Sequence, residues 1–251
     1  MPSDSLDLLW PTPLLKISDP IAIASNDKLR NLILRSSRRE PGVHKTNLGG
    51  WQSDIDFFER DDPACALLRT RAYHAVFRYL QETAPRGAAG HYEVSIGSAW
   101  ANLNNRSHEN SPHMHPGAQL SGVYYVDDGG DREGGLRLVD PRAQASMIPV
   151  PPRWSRGAGE HVRLLAQPGL FVIWPAWLQH YVVGHQGDRP RVSVSFNVRL
   201  TFPDDDGGAG VYSAGGGGER VGAEPRLTFT VPPHHQKSFL EEGAAQDMVV
   251  G

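Results

Sequence analysis

After Gly90 the chain becomes a succession of short β-type runs separated by glycine, proline, asparagine and aspartate. The runs fall at residues 92–96, 99–103, 120–126, 135–139, 164–165, 170–174, 181–183 and 192–200. Many short strands at close spacing fold as a barrel or sandwich, because each strand must bury one face against another sheet. Two helices precede them. From Asn26 to about Arg38, Leu29, Leu32 and Ile33 recur at helical spacing. Asp62 and Pro63 then form a helix start, and Leu67, Leu68, Ala72, Ala75, Val76, Tyr79 and Leu80 carry a 3.6-residue stripe towards Pro85. One-sided helices of this kind cover a sheet. The expected fold class is mainly β with flanking helices.

At 251 residues nothing requires more than one core, so a single domain is expected over 1–203. Residues 204–251 read as a glycine-rich loop and C-terminal extension, with a late strand at 226–231 and a helical turn at 238–242. An extended entry segment is expected around Trp10-Pro11-Thr12-Pro13, since each proline disfavours helix in the residue before it. The formal charge of −3 lacks the concentrated basic field of a nucleic-acid binder. No apolar run approaches the roughly 20 residues of a membrane helix. Cys65 is the single cysteine and no apolar leader precedes Trp10, so the reading is a protein of the reducing cytoplasm.

Eleven histidines carry weight only through their placement. In Pro112-His113-Met114-His115-Pro116 two imidazoles stand at i and i+2, which share one face of an extended chain. His180 closes Trp174-Pro175-Ala176-Trp177-Leu178-Gln179-His180, just after an apolar run, and a barrel can return that strand end to the first pair. Imidazole suits iron, zinc, copper or nickel. A bare His-x-His is more often two loop histidines. The strand downstream of His180 alters that balance: along 191–197, Arg191, Ser193 and Ser195 share one face, where a guanidinium and hydroxyls can clamp a carboxylate.

These residues resemble a family. Trp100-Ala101-Asn102-Leu103-Asn104, His113-Met114-His115-Pro116-Gly117, Leu120-Ser121-Gly122-Val123-Tyr124-Tyr125-Val126, Asp140-Pro141-Arg142, the segment ending at His180, and Arg191-Val192-Ser193-Val194-Ser195-Phe196-Asn197 look like the ordered motifs of 2-oxoglutarate/Fe(II) oxygenases related to prolyl hydroxylases. Trp10-Pro11-Thr12-Pro13 and His44-Lys45-Thr46-Asn47-Leu48-Gly49-Gly50-Trp51-Gln52-Ser53 fit the same group, and the resemblance runs over roughly residues 8–200. It implies a double-stranded β-helix, the jelly-roll, cupin-like barrel. It implies Fe(II) and 2-oxoglutarate as cofactors, molecular oxygen as co-reactant, and a small-molecule or peptide substrate. By the same resemblance His180 is the distal iron ligand, Arg191 and Ser193 bind the far carboxylate of 2-oxoglutarate, and Tyr125 and Asn102 belong to the cosubstrate pocket. Arg142 and Trp177 are candidates for substrate binding.

The chain departs from the group's usual His-x-Asp or His-x-Glu, offering His-x-His instead. Either His113, His115 and His180 form a three-histidine site, which is favoured, or His115 and His180 bind alone and Gly117 stands where a carboxylate would. Asp127, Asp128 and Glu133 lie in a glycine-rich turn and read as solvated. The expected reaction is hydroxylation of an unactivated C–H bond with release of succinate and CO₂. The alternatives are a halogenase or other oxidative variant, a three-histidine cupin-type dioxygenase that does not use 2-oxoglutarate, and a non-catalytic jelly-roll binding module.

Overall fold

The computed structural model describes residues 10–84, 91–147, 161–201 and 227–230. The strands are β1 (Leu15–Ser18), β2 (Asn47–Leu48), β3 (Trp51–Gln52), β4 (His91–Asn104), β5 (Glu109–His113), β6 (Leu120–Asp127), β7 (Gly135–Val139), β8 (His161–Leu164), β9 (Leu170–Pro175), β10 (His180–Val183), β11 (Arg191–Thr201) and β12 (Leu227–Thr230). The helices are α1 (Pro20–Ile23), α2 (Asn26–Arg39) and α3 (Pro63–Thr83). Strands order β1-β9-β6-β11-β4-β12 in a seven-stranded sheet, with β3 also on β4, and β2-β5-β10-β7-β8 in a five-stranded one. Every ladder pair within the two sheets is antiparallel. The architecture is the mainly β double-stranded β-helix with flanking helices.

Period-2 alternation divides the larger sheet between two cores. Val192, Val194, Phe196 and Val198 of β11, with Tyr124 of β6 and Phe171 of β9, pack against Leu29 and Ile33 of α2 and Leu68, Ala72 and Val76 of α3. The opposite face sends Val123, Tyr125, Val172 and Trp174 between the sheets, where they meet Leu136, Leu138 and Leu164. Each fully buried aliphatic chain contributes about 1.5–3 kcal/mol, less what the unfolded chain already hides. The helices therefore stiffen the strands that carry the inner face.

The α3 start is as the sequence requires: the Asp62 carboxylate accepts from the Ala64 N–H at 2.8 Å, with Pro63 in the first turn. In the short α1, Asp19 accepts from the N–H groups of Ile21 and Ala22 and takes the Arg71 guanidinium at 2.7 Å, tying α1 to α3. One glycine is fixed by close packing. Gly122 sits opposite Phe196, and a Cβ there would lie 2.3 Å from the ring.

Several elements differ from the sequence reading, among them the short α1, β2 and β3, which it does not include. The runs at 92–96 and 99–103 are one strand, β4: Ser98 pairs with Asn197, and the ladder resumes at Ser95 after a register shift rather than a turn. β5 bears almost no apolar residues, and hydrophobic alternation could not reveal it. The late strand appears as β12 and pairs with β4. The glycine-rich stretch 204–222, the turn at 238–242, His234 and His235 lie outside the described residues. Among the described residues no helix is long and apolar enough to cross a membrane.

Candidate metal and cosubstrate site

Strand pairing assembles the histidines. His180 opens β10 directly opposite His113, the last residue of β5. Two residues on, the His115 N–H donates to the Ala176 carbonyl at 3.0 Å, so the loop that leads to His180 also holds His115. The chain then reverses through Pro116 and Gly117, with the Ala118 N–H returning to the His115 carbonyl and Gly117 at φ +84°. Proline followed by a positive-φ glycine is the residue choice of a type II turn. Gly117 is a backbone requirement of that turn.

One ligand nitrogen from each of His113, His115 and His180 falls within 4.8 Å of the other two. The Nε2 atoms of His115 and His180 are 3.2 Å apart. Two nitrogens bound about 2.1 Å from one ion at roughly 90–110° stand about 3.0–3.4 Å from each other, so this spacing suits a shared metal. The Nδ1–H groups of His113 and His180 donate to the Ser111 and Leu178 carbonyls at 2.7 and 2.9 Å. Those bonds fix the tautomer and leave Nε2 with its lone pair, as a metal ligand needs.

Electrostatics act in the same direction. Burial lowers the pKa of His113 against the Ser111 carbonyl, which favours the charged ring. Burial, with His180 and His113 alongside, takes His115 down to about 3. Burial takes His180 to about 4, opposed by the Leu178 carbonyl and reinforced by His113. All three are neutral bases near pH 7.

The histidines open into a cavity of about 350 Å³ between the sheets, within the size range of small-ligand pockets. Lining residues, most of them polar, reach it by alternation along three neighbouring strands. Ser98, Trp100, Asn102 and Asn104 come from β4; Arg191, Ser193, Ser195 and Asn197 from β11; Ser121, Val123 and Tyr125 from β6. Ser193 pairs with Asn102 on one side and Tyr125 on the other. Asn102 Nδ2 donates to Ser195 Oγ, and Ser121 Oγ to Asn197 Oδ1, both at 3.1 Å.

Arg191 is the least compensated member. Its residue is 3% exposed, and Nη1 is buried with no hydrogen-bond partner among the described residues. Burial works against its charge, while Tyr125 and the Asp131 carboxylate work for it. Arginine does not give up its proton in a protein, so the cavity wall holds a buried cation that an anion would satisfy. Tyr125 is a neutral phenol, pushed up to about 12 by burial, with Arg191 pulling the other way. Trp174 Nε1 is a second buried donor with no partner among the described residues, and it too lines the cavity.

The sequence candidates separate here. His113, His115, His180, Arg191, Ser193, Tyr125 and Asn102 all line the one cavity. Arg142 and Trp177 do not. Arg142 bends back onto Asp140 at 2.7 and 3.0 Å in the turn that both residues form, and Trp177 is 54% exposed on the loop before β10. Asp127 is not solvated. It is buried between Arg30 at 2.9 Å and Arg189 at 3.2 Å. The buried pair of Asp131 and His185, 3.0 Å apart, was not foreseen; it joins the β6–β7 turn to the segment before β11. Lys45, Thr46, Gln52, Trp100 and Asn197 were likewise missed as cavity residues. Continuing the alternation of β11 past Ser195 would have found Asn197.

Residues 98–197 match the model of the family described as "Putative 2OG-Fe(II) oxygenase". No curated protein matches the chain. Among solved structures, a Pseudomonas putida prolyl-4-hydroxylase is similar at 14% identity and TM-score 0.52, over 75% of this chain and 93% of that one. The non-haem alpha-ketoglutarate-dependent epimerase SnoN of nogalamycin biosynthesis is similar at 15% identity and TM-score 0.54, over 85% and 88%. A second structure of SnoN, in complex with Fe³⁺, alpha-ketoglutarate and nogalamycin RO, is similar at 14% identity and TM-score 0.52, over 85% and 91%. At these identities the structural likeness establishes the fold.

Proposed function

We propose, from the match of residues 98–197 to the 2OG-Fe(II) oxygenase model, that this chain is a 2-oxoglutarate-dependent dioxygenase hydroxylating an unactivated C–H bond of a small molecule or peptide. Fe(II) and 2-oxoglutarate are its cofactors. One observation carries the residue assignment: three neutral histidines converge in the same cavity as a buried guanidinium with an open donor. The donor set fits both groups. Three imidazole nitrogens suit a divalent iron and leave positions for a chelating ligand, and Arg191 with Ser193 and Tyr125 suits a carboxylate.

In this reading His113, His115 and His180 hold the metal. Arg191 holds the distal carboxylate of 2-oxoglutarate, with hydroxyl donation from Ser193 and Tyr125. Asn102, engaged by Ser195, keeps the neighbouring strand in register with that clamp. Bound iron with 2-oxoglutarate and oxygen supplies a two-electron oxidation of substrate, the cosubstrate leaving as succinate and CO₂. The protein orients the two ligands and keeps water from the cavity between its sheets. His115 occupies the place where the family commonly has a carboxylate, and Gly117 is committed to its turn. That weighs against a halogenase, in which the position is left open.

The test is anaerobic titration with Fe(II) and then 2-oxoglutarate, with Arg191→Ala in parallel. A weak visible charge-transfer band that appears in the wild type and is lost or strongly weakened in the variant supports the reading. Iron binding with no response to 2-oxoglutarate would favour a cupin-type dioxygenase, and no specific metal binding a non-catalytic module.

A further inference from the structure

The motif His44–Ser53 has no part in the metal chemistry, yet it forms one wall of the cavity. Its central residue, Asn47, is 7% exposed and works on backbone: Oδ1 accepts from the Lys45 N–H at 2.8 Å, and Nδ2 donates to the Val43 and Gly50 carbonyls at 3.2 and 2.7 Å. The segment is bound to the metal-bearing strand, with Asn47 paired to Asn110 and the Ser111 N–H donating to the Thr46 carbonyl at 2.9 Å. Lys45, one residue before that bond, is thereby fixed beside the chain that leads into His113.

The charge pattern of the cavity is one-sided. Among the described residues its lining contains no aspartate or glutamate, and its charged members are Arg191 and Lys45. Lys45 is exposed and has no carboxylate partner among the described residues. Ile55 and Met114, which also line the cavity, are 53% and 52% exposed. Trp100 lines the cavity beside the histidines, its ring centroid 5.7 Å from that of His115.

Resting on the oxygenase reading, we propose that the substrate is a small amphipathic acid, its anionic group held by Lys45 and its apolar body lying on Ile55, Met114 and Trp100. With Arg191 and the metal engaged by 2-oxoglutarate, Lys45 is the remaining cation of the lining. A body anchored there runs along Trp100 towards the histidines, which brings its C–H bonds to the metal side of the cavity.

The test uses octanoate, octan-1-ol and octylamine as probes of the full chain loaded anaerobically with Fe(II) and saturating 2-oxoglutarate. Probe binding is followed by perturbation of the charge-transfer band and of tryptophan fluorescence. Octanoate is expected to bind about five- to tenfold more tightly than the alcohol, the size of a partly desolvated ion pair, and octylamine more weakly than either. Lys45→Met should erase the preference for octanoate, Lys45→Arg should retain it, and both should bind 2-oxoglutarate as the wild type does. Equal affinity for acid and alcohol, an unchanged preference in Lys45→Met, or displacement of octanoate by excess 2-oxoglutarate would overturn the proposal while leaving the oxygenase reading intact. Failure of the wild type to bind 2-oxoglutarate would overturn both.

Discussion

The Nε2 atoms of His115 and His180 stand 3.2 Å apart although 65 residues separate them in the chain. The closeness has two backbone causes: β10 lies beside β5, and His115 is tied to the loop before β10 by its own N–H. The fold thus fixes the pair before any ion arrives, and His113 completes the group from the end of β5.

Replacing any one of the three histidines by alanine should weaken Fe(II) or Co(II) binding by ~100-fold or more, since loss even of groups that merely support a ligand costs 10–100-fold. His115→Asp should retain binding, because it restores a two-histidine, one-carboxylate set. Calorimetric titration under anaerobic conditions reads both effects. If His113→Ala binds metal like the wild type, the site has two histidine ligands.

Arg191 should be costly to the empty protein and necessary to the loaded one. Arg191→Met removes a buried cation with an open donor, so the ligand-free Tm should stay level or rise. The same variant should lose the stabilisation that 2-oxoglutarate gives the metal-loaded wild type, with affinity falling by about 2–5 kcal/mol. A metal-loaded Arg191→Met that still gains stability from 2-oxoglutarate would show that the carboxylate binds elsewhere.

How much of this was legible in the sequence depended on whether the signal was local. α2 and α3 were, α2 through its Leu29–Ile33 spacing and α3 through the Asp62 cap and the Leu68–Val76 stripe, and so were the strands with apolar alternation. β5 was not, as its residues Glu109, Asn110 and Ser111 owe their extended form to neighbours on both sides. The cavity face of β11 was visible because Arg191, Ser193 and Ser195 alternate with valines. Lys45 was not, because nothing local distinguishes a cavity lysine from a surface one. Arg142, a candidate from its motif, bonds to Asp140 two residues away and does not line the cavity.

Acid should loosen the end of the cavity near Arg191. Burial alone would raise the Asp131 pKa, but the N–H groups of Gly134, Glu133 and Gln186, with His185, bring it down to about 2. An aspartate of an unfolded chain titrates near 3.9, so the folded state binds the proton less readily. This group's contribution is fully present above about pH 4 and is lost as pH falls towards 2, on the order of 2 kcal/mol. Urea denaturation across pH 2–6 should show that loss, and Asp131→Asn should flatten it. An unchanged slope in the variant would mean that other carboxylates govern the acid limb.

Gly122→Ala drives a methyl into the Phe196 ring on the adjacent strand and should destabilise by ~1–3 kcal/mol. Adding Phe196→Leu should recover part of that loss, which a double-mutant cycle in urea will measure. Additive losses would mean that the two positions do not share the space.

The most direct test is a crystal structure with Co(II) and 2-oxoglutarate, the metal located by its anomalous scattering. One ion bound to Nε2 of His113, His115 and His180, with the distal carboxylate of 2-oxoglutarate on Arg191, is the predicted result. An ion held by two of the histidines with the third turned away, or 2-oxoglutarate lying apart from Arg191, would contradict the account.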